Sequence, residues 1–289
     1  MASVDTSNFI PELWASEALG QLFQRSELLA LVNKDYNAEL KARGDIVNIQ
    51  KAGTLTTQEF TTAVVVQTPS ETNIPLTLDH HFDITFAIKD TTQSMANADV
   101  IKLYTGEAMQ TLAETIDAEI MKTYALASDS VGTLGAGVTD ANMLALRTLF
   151  QANKVSKINR YVVVSAAGYS NLVDLDKFVD ADKIGDGLAI KSGRLGQIYG
   201  MSVYENEDVA SLSGGSIGIS FQRNSITAAT RTLEQINDSG VSSAVVTQDG
   251  IGIRVIRSYN TSAKRYQISC DLLWGLAVTE DKGLFQVKY

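Results

Sequence analysis

Site chemistry needs scarce residue types placed together, and this chain places its scarce ones apart. Its two histidines, His80 and His81, are sequence neighbours. On a strand, neighbouring side chains point to opposite faces, so the two cannot close on one metal ion. With one cysteine and no third histidine, a His/Cys zinc site lacks ligands. That cysteine, Cys270, lies in the alternation Tyr266, Ile268, Cys270, Leu272, Trp274, the setting of a small buried hydrophobe. Alone, it forms no intrachain disulfide. A thiol nucleophile or a Ser/His/Asp relay needs a histidine within hydrogen-bond reach, and both histidines belong to a different extended stretch. The segment Gly185-Asp-Gly-Leu-Ala-Ile-Lys-Ser192 faintly resembles a phosphate loop. Such a loop requires Gly directly before the Lys, so that backbone amides can wrap the phosphate. Ile190 stands there instead, and the segment leads into a strand rather than a long helix. A flexible Gly-rich loop that makes subunit contacts is the better account. Asp174, Asp176, Asp180, Asp182 and Asp186 are mis-spaced for an EF-hand loop. They read as a solvated acidic face, with weak cation binding at a subunit junction as the alternative. The inventory assigns no catalytic residue, no cofactor and no metal ligand.

Composition narrows the classes further. The 289 residues allow one large domain or two modest ones. An apolar content of 45% with 20% charged residues is globular and excludes disorder of the whole chain. The net charge is −9, and no Lys/Arg block exists, so a nucleic-acid grip through a basic patch is not expected. The first residues, Met1-Ala-Ser-Val-Asp-Thr-Ser-Asn-Phe9, combine no basic region with an apolar core, so no secretory leader is expected. No apolar run approaches the ~20 residues of a membrane-spanning helix. The expectation is a protein made and kept in cytoplasm, away from membranes.

With chemistry absent, the elements themselves become the informative feature. In residues 74–88, Ile74, Leu76, Leu78, His80, Phe82, Ile84, Phe86 and Ile88 fall on every second position. This period-2 pattern gives a strand with one apolar and one mostly polar face. Fifteen residues at about 3.3 Å each reach roughly 50 Å, against an ordinary strand of about 5–6 residues. Its expected pairing partner is residues 60–66, where Phe60, Val64 and Val66 share a face with Thr62, joined through the turn Thr68-Pro69-Ser70-Glu71. A helix is expected over residues 95–126, capped by Asn97 or Asp99, with the stripe Ile101, Tyr104, Ala108, Leu112, Ile116, Ile120, Tyr124. An isolated hairpin is marginal in water, so a ribbon this long needs a cover, and a second copy of the chain is the expected one.

The remaining chain supplies a mixed body. Residues 11–41 read as helical, with Gly20 as a break, and residues 45–51 as the first strand. Residues 128–137 read as a Gly/Ser-rich linker, followed by a helix capped at Thr139 or Asp140 and by the apolar strand Tyr161-Val-Val-Val-Ser165. Residues 166–174 are expected helical, and residues 198–206 and 216–221 extended. Residues 245–257 and 264–274 are expected to form a hairpin, and residues 277–289 hold a last strand. Strands alternating with helices point to an α/β or α+β body.

The order of these parts resembles the major capsid proteins of tailed bacteriophages of the Hong Kong phage type, the Johnson fold. That family runs N-terminal arm, extended loop, spine helix, then peripheral and axial domains. Three later phrases carry the resemblance. Ser192-Gly-Arg-Leu-Gly-Gln-Ile-Tyr-Gly-Met-Ser-Val-Tyr204 is similar to the entry into the axial domain. Gly218-Ile-Ser-Phe-Gln-Arg-Asn-Ser-Ile226 is similar to its strand and polar turn. Arg265-Tyr-Gln-Ile-Ser-Cys-Asp-Leu-Leu-Trp-Gly-Leu-Ala-Val278 is similar to the closing strand of the peripheral domain.

The resemblance implies an α+β capsid fold divided as 1–44 arm, 45–92 extended β-hairpin loop, 93–138 spine helix and peripheral domain, 139–235 mainly axial domain, and 236–289 peripheral strands returning to the axial domain. It implies a structural protein rather than an enzyme, assembled in bacterial host cytoplasm into the virion. Homo-pentamers and homo-hexamers would tile an icosahedral shell enclosing double-stranded DNA without binding it specifically. The expected partners are the chain itself, a separate scaffolding protein, a portal, and a decoration protein outside. Residues expected to serve self-assembly are Phe9 and Trp14 in the arm, Phe60, Ile74, Leu76, Leu78, Phe82, Ile84 and Phe86 in the ribbon, and Arg194 in the loop facing the ring centre. Some family members cross-link a loop lysine to a neighbour's asparagine; Lys51 sits on this loop. The alternatives are an encapsulin-like nanocompartment shell, and a soluble α/β binding protein or enzyme.

Overall fold

The computed structural model describes residues 15–16, 18–22, 26–36, 46–53, 55–60, 64, 66–89, 100–175, 196–236, 238, 241–248 and 251–289. Residues 18–22 are helical, and Leu28–Ala30 form a 3-10 turn. Strand β1 (Ile46–Lys51) pairs antiparallel with β2 (Thr72–Thr77), and β3 (His80–Lys89) follows. Helix α1 (Val100–Lys122) runs through the 3-10 turn Thr123–Leu126 toward β4 (Asp129–Gly132). Then come α2 (Asp140–Ala152), β5 (Arg160–Val164) and α3 (Ala166–Val173). The hairpin of β6 (Gln197–Ile198) and β7 (Met201–Glu205) precedes that of β8 (Ala210–Leu212) and β9 (Gly215–Gln222). Strands β10 (Ile226–Arg231), β11 (Val241–Gln248), β12 (Ile251–Asn260), β13 (Arg265–Val278) and β14 (Leu284–Lys288) complete the chain.

Two sheets organise the body. One has the order β4-β14-β9-β5-β7-β6, with β8 on β9. The other has the order β10-β13-β12-β11, with β3 on the free edge of β13. Only β5–β7 and β14–β4 are parallel among the named pairs, so the class is α+β rather than α/β. The helices start where short polar side chains can take the first orphan amides. Thr139 Oγ1 accepts from the Asn142 amide and Ser165 Oγ from the Gly168 amide, both from extended backbone.

The alternation over residues 74–88 is present, but it is not one strand. Leu76 and Leu78 are buried while Pro75 and Thr77 are exposed, and β3 repeats the pattern from His80 to Lys89. The chain bends at Leu78-Asp79 and joins two sheets. β2 pairs with β1, so the expected partner at residues 60–66 is corrected to Ile46–Lys51. β3 pairs with β13 over its whole length, from Lys89↔Arg265 to His80↔Trp274. The physical cause sits at Gly275. A Cβ there would lie 2.0 Å from the Thr77 carbonyl oxygen, so only glycine lets the end of β2 cross β13 before β3 docks.

The helix expected at 95–126 is observed over Val100–Lys122 with its 3-10 extension, while Met95, Asn97 and Asp99 lie outside the described residues. Its stripe is wider than expected. Met109, Ala113 and Met121 are buried beside Ala108, Leu112, Ile116 and Ile120, whereas Tyr104 is exposed. Three other expectations change. Residues 128–137 are not only a linker, because β4 pairs in parallel with β14. The expected hairpin at 245–274 is a three-stranded meander, with β11, β12 and β13 in sequence. Residues 198–206 hold the Tyr199-Gly200 turn of a hairpin, with φ of 50° and 82° there. The C-terminal strand β14 lies between β9 and β4, and the Tyr289 hydroxyl accepts from the Ser165 amide at 2.6 Å and reaches Ser165 Oγ at 2.9 Å.

One buried ion pair pins the β12–β13 register. Asp271 has 4% side-chain exposure and Arg254 12%. Arg254 Nε donates to Asp271 Oδ1 at 3.0 Å, Nη2 donates to Oδ2, and Nη1 donates to the Glu234 carbonyl at 2.9 Å. A fork of this geometry fixes two strands and an incoming loop at once. Asp271→Ala leaves the guanidinium buried without its partner. It should lower unfolding free energy by about 3–5 kcal/mol, measured by urea titration against the unaltered chain.

Candidate functional site

The residues singled out for self-assembly divide into three groups. Phe9, Trp14 and Arg194 lie outside the described residues, as do residues 176–195 with most of the acidic run and the Gly185–Ser192 segment. Ile74, Leu76, Leu78, Phe82, Ile84 and Phe86 all face apolar cover, but that cover belongs to their own chain. Leu76 and Leu78 pack with Val47, Ile49 and Ala229, and Ile74, Leu273 and Ala277 lie against this cluster. Phe82, Ile84 and Phe86 pack half-buried against the main core. Phe82 lies 6.0 Å from the Trp274 ring and Phe86 5.8 Å from Tyr104. The expectation that this face awaits a neighbour is therefore corrected: strand β13 and its sheet supply the cover.

Phe60 forms the third group, and its surroundings were undervalued in sequence. Residues 55–60, 64 and 66–71 carry no strand or helix among the described positions. Leu55, Phe60, Val64 and Val66 are 65%, 69%, 77% and 85% exposed. The neck of this loop is tied. The Gln67 side-chain oxygen accepts from the Thr56 amide at 2.9 Å and from its hydroxyl at 3.2 Å. Gly53 passes so close to Ser70 that a Cβ would sit 2.5 Å from the Ser70 carbonyl oxygen. At the base, Lys51 Nζ lies 3.8 Å from Glu280 Oε1 and 3.5 Å from the Thr279 carbonyl. A closed neck carrying bare apolar side chains is a surface built for contact.

The chemical candidates are placed in structural roles. Cys270 is fully buried, and burial followed by the Asp271 and Asp83 charges pushes its thiol up to about 12, the opposite of an activated nucleophile. His80 stacks on Phe82, and His81 lies 3.3 Å from Asp271 Oδ2 on the other face. Among the described residues no cluster of three His, Cys, Asp or Glu side chains could hold a metal ion. None of their helices is long and apolar enough to cross a membrane.

A further feature had no sequence signal, because its residues are scattered along the chain. Glu27, Glu114, Asp117, Glu205, Glu207 and Asp208 line one cavity of about 1040 Å³. Asp117, on α1, is buried and accepts from Ser26 Oγ at 2.6 Å and from the Glu27 amide at 3.2 Å. Burial raises its carboxyl from 3.8 to about 6, against the lowering effect of these hydrogen bonds and with the Asp208 charge adding to the rise. Asp208 is itself raised, by burial first and then by Glu114 and Glu207.

No family model and no curated protein matches the sequence. Solved structures do match. One from Mycobacterium phage Che8 superposes with a TM-score of 0.69 at 17% identity, covering 91% of this chain and 90% of that one. The capsid structure of cyanophage P-SCSP1u gives 0.57 at 16% identity, covering 86% and 84%. The capsid of a native GTA particle gives 0.59 at 13% identity, covering 86% of each chain. The chain has a phage capsid fold. Within that fold, the tied loop and the acidic cavity are two surfaces among the described residues with properties that burial inside one chain does not explain.

The cavity makes a pH prediction. A carboxyl raised in the folded state binds its proton more tightly there than in the unfolded chain. The ionised form therefore weakens the fold above about pH 6, and the penalty is relieved as pH falls from about 6 toward 3.8. The relief from Asp117 is at most about 3 kcal/mol. Asp117→Asn should remove this part of the stability gain between pH 6 and pH 4, read from urea midpoints across that range. An unchanged pH profile would show that Asp117 titrates normally.

Proposed function

We propose that the chain is the major capsid subunit of a tailed bacteriophage. Copies of it form pentamers and hexamers that tile an icosahedral shell around double-stranded DNA. The observation that carries this is the combination of a match to the capsid fold over 91% of the chain with a tied loop presenting Leu55, Phe60, Val64 and Val66 to solvent. Four such side chains on one stalk would bind water poorly in a lone subunit, and burying each is worth about 1.5–3 kcal/mol. The cyanophage and GTA structures that this chain resembles are capsids, and the same use fits this surface.

In this account residues 1–44 form an arm, 45–92 an extended loop, and 93–138 the spine helix of a peripheral domain. Residues 139–235 are mainly an axial domain, and 236–289 return peripheral strands to it. The protein works without catalysis or cofactor and resides in the virion, after assembly in bacterial cytoplasm. The net charge of −9 suits a wall that encloses DNA without gripping it. A separate scaffolding protein, a portal and a decoration protein are its proposed partners besides itself. Phe9, Trp14 and Arg194 are proposed to contact neighbouring subunits.

Electron microscopy of the purified chain, after sizing chromatography, should show closed megadalton shells. A stable monomer or dimer at high concentration and varied salt would overturn the proposal. The two halves of the ribbon should respond differently to charge. Phe60→Asp with Val66→Asp should leave subunit stability within about 0.5 kcal/mol of the original and abolish shells. Phe82→Asp should instead lower subunit stability by about 2–4 kcal/mol, because its cover is internal. Thermal melts with negative-stain imaging separate the two.

A further inference from the structure

The turn between α2 and β5 holds an apolar side chain in water on a rigid mount. Ile158 is 70% exposed, and Lys154 and Lys157 beside it are exposed as well. The turn is built to hold this shape. Lys154 and Asn159 adopt left-handed backbone, with φ of 56° and 57°. Buried Arg160 turns back under the loop, donating from Nε to the Ser156 carbonyl and from Nη2 to the Val155 carbonyl, both at 2.7 Å. Its guanidinium also packs 4.6 Å from the centre of the Phe150 ring. Two other segments tie into the turn. Asn153 Nδ2 donates to the Lys282 carbonyl at 3.1 Å, and the Arg223 amide donates to the Asn159 carbonyl at 3.0 Å. Among the described residues neither Lys154 nor Lys157 forms an ion pair.

The acidic cavity is the complement of this knob in charge. Among its described lining residues there is no Lys or Arg, and Glu27, Glu114, Glu205, Glu207 and Asp208 are exposed. Aromatic side chains, Tyr169 and Tyr204, line the same space. Burial first, and then repulsion from neighbouring carboxylates, raises the Asp117 and Asp208 carboxyls. The knob leads into the start of β5, where Tyr161 faces Ser202, and the cavity lining runs along the partner strand from Ser202 to Glu205 and on to Asp208. A chain that carries a cationic knob and a separate anionic socket has the two unlike surfaces that head-to-tail ring closure requires.

Resting on the shell reading above, we infer that the Lys154–Ile158 knob of one copy seats in the acidic cavity of the next copy around each ring. Ile158 would pack against the tyrosines, and Lys154 and Lys157 would pair with Glu205, Glu207 and Asp208. The rigid turn lowers the ordering penalty of such a contact, which favours it over a flexible loop of the same composition.

Charge reversal tests the pairing directly. Lys154→Glu with Lys157→Glu should raise the concentration needed for assembly at least about tenfold, equivalent to about 1.4 kcal/mol per contact. Glu205→Lys with Glu207→Lys should do the same. All four together restore the pairing with its sign inverted and should recover assembly. Sedimentation reads particles, and circular dichroism confirms folded subunits. Ile158→Ser, which alters no charge, should weaken assembly without affecting its salt dependence. Reversals that assemble like the original chain, or a folded fourfold variant that stays unassembled, would overturn the inference while leaving the shell reading intact. Failure of the unaltered chain to form any particle would overturn both.

Discussion

β13 has to satisfy three strands, and the rest of the subunit depends on its doing so. Residues 265–271 pair with β12 on one edge, residues 273–278 pair with β10, and residues 265–274 pair with β3 on the other edge. Its buried side chains, Ile268, Cys270, Leu272 and Trp274, form the floor on which β3 lays its apolar face. Backbone pairing along ten residues leaves few unsatisfied amides on this edge, and the Arg254–Asp271 fork fixes which residues face each other. The helix α1 then packs beyond β3, through Phe86 and Tyr104 and through Ile88. Loosening β13 would release the ribbon, the helix and the second sheet together.

Charge is distributed against this rigid frame in a way that burial does not neutralise. The paired acid, Asp271, carries a bidentate guanidinium and a nearby imidazole. Among the described lining residues of the cavity there is no Lys or Arg, and Asp117 has hydroxyl and amide partners. Asp271 and Asp117 are both removed from water, yet among the described residues only Asp271 is given an opposite charge. A buried carboxylate held by hydrogen bonds alone shifts toward its neutral form. Asp117 is therefore the position where burial outweighs the hydrogen bonds that favour the ionised form.

Much of the fold was legible because its determinants are local and periodic. The alternation from Ile74 to Ile88 gave the correct inward face residue by residue, Thr139 or Asp140 marked a helix start that the structure places at Thr139, and the run Tyr161-Val-Val-Val marked a buried strand. What could not be read was pairing. Residues 60–66 have the apolar composition of a strand, and residues 46–51 have the same character, but sequence alone does not say which of them meets β2. The short β4 was hidden because its sequence, Asp129-Ser-Val-Gly132, is that of a turn and its pairing with β14 is non-local. The acidic cavity was invisible for the same reason. Its residues come from an arm turn, a helix and a strand end, with nothing between them in sequence to mark the site.

The misassigned cover has a more general cause. An alternating face announces that it must be buried, but it carries no information about whose atoms will bury it. Here the answer turns on Gly275, where a missing side chain lets β2 cross β13 and so allows β3 to reach its edge. Had that position carried a Cβ, the Thr77 carbonyl could not have passed, and β3 would have been displaced from the sheet. Among the described residues between Gly53 and Ser70, Leu55, Phe60, Val64 and Val66 stay bare, beside a neck closed by Gln67. Phe60, Val64 and Val66 share one strand face in sequence just as Ile74 to Ile88 do, so periodicity marks which side chains lie together, and pairing decides which of them the chain covers itself.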